Sequence, residues 1–366
     1  MRYLFVIQGE GRGHFTQALS LKTMLENNGH EVVGVMVGCS AKRSLPGFFT
    51  QKIGTEIIKF QSPNFMPTAK GKQSNLLVSI LYNLLLLPNY IASMIHIRST
   101  INDAQPDVVI NFYELLCGLS YGVFSFDVPM INVAHQYYFL TPEFKYNGKN
   151  EFEFKLLNFY TKLTALNAYK ILALSFRGGK FFNYDNISIV PPLLRQEVIE
   201  MKPTNGDYLH GYILNSGYAS ELTEWSQQRP TQNSHFFWDK KNVEDTEFLA
   251  PNLAMHKLSD TEFLNYMAGC KAYATTGGFE SVCEAMYMQK PILMVPTHIE
   301  QDCNVMDAMR AGAGVSASEF DLDVLLDFVP TYQRTANFKY WTMSAESAFV
   351  YHLTQHVLEE SSVFAL

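Results

Sequence analysis

The 366-residue sequence predicts an α/β protein made of two doubly wound, Rossmann-like halves. Two observations carry that expectation. Short apolar runs near residues 3–8, 31–37, 55–60, 107–111, 128–134 and 170–175 alternate with helical patterns, the order that builds a parallel sheet covered on both faces. The alternation stops at Pro191-Pro192 and a polar stretch to Asp207, then restarts over 208–214, 235–238, 271–275 and 292–295. The fixed φ of proline suits a boundary better than a strand interior, so the hinge is placed there. The expected division is 1–198, 206–332, and a closing segment 333–366 with a helix near 336–359.

Composition narrows the function classes. A hydrophobic share of 47% supplies core for two domains. A net charge of -7, with no face of clustered Lys and Arg, argues against nucleic acid as partner. The five cysteines lack metal-ligand spacing and several lie in apolar segments, as reduced thiols do. The start MRYLFVIQGEG has no basic region and cleavage site, so a cytoplasmic protein is expected. A G-x-S-x-G nucleophile is missing, and Asp321-Leu322-Asp323 reads as a helix cap before apolar periodicity. Neither a metal site nor a cofactor is expected.

The first element is the buried strand Tyr3–Ile7, followed by Gly9-Glu10-Gly11-Arg12-Gly13-His14 and a helix carrying Ala18, Leu19, Leu21, Met24 and Leu25 on one side. Dinucleotide enzymes share this order, but here the spacing is G-x-G-x-G-H, and the next strand ends at Gly38 rather than in an acidic residue. Two later strands end near polar groups: Asp107–Asn111 leads to Glu114, and Val128–Val133 to His135-Gln136. Ligands gather at such carboxyl ends, so Glu114 and His135 are catalytic candidates beside a structural alternative for each. From Gln73 to Ile97 there is no Asp, Glu, Lys or Arg, and Leu76–Leu87 is dense in leucine. That length reaches a bilayer span, yet Asn83, Pro88 and Asn89 interrupt it. A helix resting on a membrane through 76–95, and buried packing, are the other readings.

The most informative stretch runs from Thr275 to Asn304. A Gly277-Gly278 turn precedes a helix from Phe279, and Pro291 opens the buried strand Ile292–Val295 before Pro296. Glycines let backbone come close to a ligand, and the first amides of a helix have no intrahelical acceptor, so they suit phosphate oxygens. Glu280 and Glu284 lie one helical turn apart on one face. A ribose or sugar hydroxyl is the natural partner of such a carboxylate.

Gly277-Gly278, Ser281, Glu284-Ala285, Pro291, Pro296, Glu300-Gln301 and Asn304 resemble the donor-binding motif of GT-B glycosyltransferases, in the UDP-sugar branch that includes the lipid-linked GlcNAc transferase of peptidoglycan synthesis. The resemblance implies two domains facing a central cleft. It implies that backbone from Gly277 and Gly278 through Phe279 and Glu280 to Ser281 meets a diphosphate, Glu284 takes the ribose hydroxyls, and Glu300 and Gln301 take the donor sugar. Gly11 and Gly13 then face the cleft, with His14 as the base for an acceptor hydroxyl; a neutral imidazole of pKa ~6.5 suits that role. Gly217 matches a further phosphate-side turn, His256 or its neighbours the nucleobase site, and His135-Gln136 an acceptor-side motif. The final helix is implied to cross back to the first domain, with Phe338, Tyr340 and Trp341 packing there.

The expected activity is transfer of a hexose or N-acetylhexosamine from a UDP-sugar to a small-molecule or lipid-linked acceptor hydroxyl, with inversion and without metal. The competing readings are a UDP-sugar epimerase of the same architecture and a non-catalytic nucleotide-sugar-binding protein.

Overall fold

The computed structural model describes residues 1–40, 43–63, 83, 85–178, 183–213, 216–238 and 244–363. Most of the leucine-dense run, and Asn215 in the second-half turn, lie outside the described residues.

The first sheet contains β1 (Arg2–Gln8), β2 (Glu31–Cys39), β3 (Ile57–Gln61), β4 (Val108–Phe112), β5 (Met130–Ala134), β6 (Lys170–Leu174), β7 (Asn183–Tyr184) and β8 (Ile187–Val190). Their order is β3-β2-β1-β4-β5-β6-β8-β7, parallel throughout except for β7 against β8. Tyr3 to Ile7 are fully buried because helices cover both faces, which is why β1 reads as an unbroken apolar run. The helices of this half are α1 (Gly13–Asn27), α2 (Gly47–Lys52), α3 (Leu87–Ala104), α4 (Leu115–Val123) and α5 (Glu151–Leu163). Among the described residues no helix is long and apolar enough to cross a membrane. On α3, Leu87, Ile91 and Ile95 stand exposed.

The linker carries α6 (Gln196–Glu200) and is tied to the second half by the buried Lys290, whose Nζ donates to the carbonyls of Thr204 and Cys270. The second sheet comprises β9 (Leu209–Ile213), β10 (Ser234–Trp238), β11 (Thr246–Ala250), β12 (Leu253–Lys257), β13 (Ala272–Thr275), β14 (Ile292–Met294) and β15 (Gly314–Ser316), in the order β11-β12-β10-β9-β13-β14-β15. Only β11 is antiparallel among them. Its helices are α7 (Ala219–Gln228), α8 (Asp260–Gly269), α9 (Phe279–Tyr287), α10 (Ile299–Arg310) and α11 (Leu322–Phe328). Asp321 caps α11 by accepting from the Asp323 amide at 3.0 Å, and Asp323 pairs with Arg229 at 2.8 Å. All five cysteines are free and buried.

The closing segment is two helices, α12 (Asn337–Met343) and α13 (Ala345–Val363), rather than the single helix expected. Ser344 interrupts them, its Oγ donating to the Trp341 carbonyl at 2.7 Å. Both pack on the first half: Trp341 Nε1 donates to the Ser175 carbonyl at 2.9 Å, and Tyr3 Oη to that of Leu353 at 3.3 Å. Phe338 is buried, whereas Tyr340 is 69% exposed and does not join this packing.

Candidate active site

In the first sheet the strand order reverses between β1 and β4, and in such a sheet the loops leaving the two strands part to open a crevice. After β1, the Gly9 amide donates to the Gly38 carbonyl at 2.7 Å, folding the Gly11 loop against β2. α1 then opens at Gly13, which puts His14 in its first turn at the switch point. Tyr113, the residue after β4, stacks on the His14 ring at 5.8 Å and 24°. Tyr113 holds φ at +61°, a left-handed conformation that a bulky side chain adopts only when its surroundings impose it. Its hydroxyl bonds Thr161 Oγ1 at 2.7 Å. Burial lowers the His14 pKa below its ordinary value, against the opposing charge of Glu300, so the imidazole is neutral at neutral pH. Its Nδ1 lies 3.3 Å from Gln17 Oε1.

The second sheet reverses between β9 and β13, so the Gly217 turn and the Gly277 turn leave paired parallel strands side by side. Gly277 has φ +87°, and a Cβ there would stand 2.6 Å from Val305 Cγ2, so only glycine fits. Gly278 is the N-cap of α9 and no side chain caps it. The amides of Phe279, Glu280 and Ser281 therefore lack an intrahelical acceptor. Asn304 Nδ2 holds the turn by donating to the Gly277 carbonyl at 3.2 Å.

Several of the singled-out residues meet across the two halves. A Cβ on Gly13 would stand 2.9 Å from Glu280 Cγ, and Gln17 Nε2 donates to Glu280 Oε1 at 2.5 Å. Burial pushes the Glu280 carboxyl up to about 8, opposed by the Gln17 hydrogen bond. Phe279 stacks on His135 at 3.9 Å and 18°. Gln136 Nε2 donates to Glu300 Oε1 at 3.0 Å. His135 donates from Nδ1 to the Leu174 carbonyl at 2.7 Å, and burial pushes its pKa down to about 3, so it is a neutral ring under Phe279.

Other singled-out residues are engaged elsewhere. Glu114 is fully buried as the cap of α4: it accepts from the Cys117 amide at 2.8 Å and from Ser62 Oγ. That geometry gives it a structural duty at the start of α4. Gln301 turns into its own loop, accepting from Thr297 N at 3.0 Å and Thr297 Oγ1 at 2.7 Å, and donating to Thr276 Oγ1 at 3.0 Å. His256 lies within β12 with both ring nitrogens engaged, by His235 and Thr246, at 3.0 Å each. Its side chain is thus spent inside the sheet. Glu284 accepts from Arg195 of the linker.

Sequence reading passed over Gln17, Tyr113, Arg195 and Asp260. Arg12 Nη2 donates to Asp260 Oδ1 at 2.9 Å, joining the first glycine loop to the start of α8. Of these, only Gln17 carried a local signal, three residues after His14 on the same helical face. 

Two facing Rossmann-like halves, with a glycine turn and bare helix amides in the second and a neutral histidine in the first, define a GT-B architecture. Residues 1–332 match the family model described as glycosyl transferase family 1, and the chain belongs to that family. It is a glycosyltransferase. Among solved structures it resembles CalG4, the calicheamicin glycosyltransferase, with a TM-score of 0.63 and 14% identity over 98% of each chain. It also resembles UGT2 of Phytolacca americana, solved with UDP-2fluoro-glucose and pterostilbene, with a TM-score of 0.63 and 12% identity over 100% of each chain. A third similar structure is SnogD from Streptomyces nogalater, with a TM-score of 0.55 and 14% identity over 96% of this chain and 99% of that one. No curated protein matches the sequence.

Proposed function

We propose that the chain transfers a sugar from a UDP-sugar to an acceptor hydroxyl, with inversion and without metal. The observation that carries this reading is the bare amide turn at Gly277–Ser281 standing against the loop of His14 across the junction of the halves. The amides and the helix terminus stabilise the charge that develops on the departing diphosphate. The neutral His14 takes the acceptor proton as the acceptor oxygen bonds to the anomeric carbon. The bond from that carbon to the diphosphate oxygen breaks, and UDP leaves with the electron pair. Attack from the face opposite UDP inverts the centre. A UDP donor is also the one bound in the similar Phytolacca americana structure.

Calorimetric titration with UDP and a panel of UDP-sugars tests the donor. Saturable binding of UDP and of a UDP-sugar supports the reading, and no binding to any uridine nucleotide overturns it. Product analysis tests the chemistry: an α-linked donor must give a β-linked product. An isomerised sugar formed without acceptor would assign an epimerase instead. Binding without transfer or hydrolysis would assign a sensor. The exposed Leu87, Ile91 and Ile95 on α3 support an apolar or lipid-linked acceptor and peripheral membrane contact. Cosedimentation with anionic vesicles, lost in Ile91→Asp/Ile95→Asp, is the corresponding check.

A further inference from the structure

His14 and the donor turn belong to different halves, yet an unbroken hydrogen-bond chain joins them. His14 Nδ1 lies 3.3 Å from Gln17 Oε1, and Gln17 Nε2 lies 2.5 Å from Glu280 Oε1. Glu280 Oε1 accepts from Gln17 Nε2, so the Gln17 amide presents its NH2 to Glu280 and its carbonyl to His14. The ring nitrogen facing that carbonyl must then carry a proton. His14 is held as the Nδ1–H tautomer, with the lone pair on Nε2, and among the described residues no hydrogen bond engages Nε2.

We propose that Glu280 is a positioning residue for the transfer reaction, fixing the tautomer of His14 through Gln17 and so coupling the base in one half to the donor turn in the other. The catalytic consequence rests on the transferase reading above. Three features support the assignment. Glu280 lies in the first turn of α9, among the amides left bare for the donor. Among the described residues its Oε2 is buried without a hydrogen-bond partner, and Gln17 is the contact that holds the carboxyl. The Glu280 side chain packs against Gly13, where a Cβ would stand 2.9 Å from its Cγ and push it out of its present position. The remaining groups on the relay are Tyr113 and Glu300, which act on the His14 side, and Glu284 and Arg195, which act on Glu280. None of these supplies an acceptor to Nδ1.

When His14 takes the acceptor proton on Nε2, its Nδ1–H stays on the Gln17 carbonyl, which steadies the imidazolium while its charge remains on the ring. Glu280→Gln keeps an acceptor oxygen in place and Glu280→Leu removes it; Gln17→Leu breaks the chain at its middle and serves if Glu280→Leu fails to fold. The primary readout is the 15N spectrum of His14 in the full chain, which separates the two neutral tautomers without any substrate. The wild type should show the Nδ1–H form, Glu280→Gln should keep it, and Glu280→Leu or Gln17→Leu should give a mixture. In transfer assays kcat should fall roughly ten- to a hundredfold in the leucine variants, with the KM for the donor within about twofold and Glu280→Gln close to wild type. An Nε2–H form in the wild type, or a tautomer that does not move in the leucine variants, overturns the relay. Absence of any transfer by the wild type would overturn the transferase reading instead, because the tautomer measurement does not depend on it.

Discussion

Arg195 clamps Glu284: its Nε and Nη2 both donate to Oε1, at 2.8 and 2.5 Å, and the carboxylate is only 2% exposed. Arg195 comes from the linker and Glu284 from α9, so the pair fastens the hinge to the helix that carries the donor turn. Removing one partner of a buried pair leaves the other charge uncompensated. Arg195→Ala should therefore lower the free energy of unfolding by roughly 3–5 kcal/mol. Urea denaturation measures this, and a loss below about 1 kcal/mol would show that water replaces the arginine.

Asp307 gives the fold a measurable pH dependence. It is fully buried on α10 with Arg177 Nε at 3.7 Å, and burial pushes its pKa up to about 7, against the lowering influence of Arg177. The unfolded chain releases this proton near ~3.9. Between those values the folded state binds more protons than the unfolded state, so this residue's contribution to stability falls as pH rises through that window. Asp307→Asn keeps the shape without the charge. Its stability relative to wild type should improve between pH 5 and 7, by up to roughly 1.4 kcal/mol per pH unit. A difference that is flat with pH in thermal denaturation would refute the assignment.

The buried strands and the donor turn were legible in the sequence for opposite reasons. β1, β4 and β5 are covered on both faces, so their buried residues are apolar apart from Asn111 and Asn132 and each run is nearly continuous. Gly277 was legible because a positive φ and a close neighbour leave a residue-type signature. β11 escaped because it is an antiparallel edge with Phe248 70% exposed, which gives a mixed pattern. The break at Ser344 escaped because apolar residues continue on both sides of it. The partners Gln17–Glu280 and Arg195–Glu284 are 263 and 89 residues apart, so local periodicity held no trace of either. Glu114 kept two readings for a related reason: a carboxylate at a strand end looks the same in sequence whether it meets a ligand or caps the next helix.

The capping role of Glu114 has its own test. Its carboxylate satisfies the Cys117 amide at the start of α4 and accepts from Ser62 Oγ, and burial pushes its pKa up to about 7. Glu114→Ala removes the cap and should cost about 1–2 kcal/mol of stability. UDP affinity measured by calorimetry on the folded variant should stay within about twofold of wild type, since none of its contacts reaches the donor turn. Glu114→Gln, which can still accept from the amide, should recover part of the loss. Weakened UDP binding in a stable Glu114→Gln protein would return Glu114 to the site.

The two glycines of the donor turn should respond differently to the same change. Gly277 sits at φ +87° with Val305 Cγ2 2.6 Å from a would-be Cβ, whereas at Gly278, with φ −66°, the nearest atom is Ser281 Oγ at 4.0 Å. Gly277→Ala must distort the turn or push Val305 and α10 aside, so it should lose about 1–3 kcal/mol of stability. UDP affinity should drop with it, because the turn aims the bare amides of α9. Gly278→Ala fits the existing backbone and should stay within about 1 kcal/mol of wild type, helped by the lower chain entropy of alanine in the unfolded state. Any loss of UDP binding in Gly278→Ala then reports the ligand's own approach to the backbone at that residue, since folding is undisturbed. Equal destabilisation of the two variants would show that backbone conformation at position 277 is not what the turn requires. Retained UDP binding in Gly277→Ala would move the diphosphate away from α9.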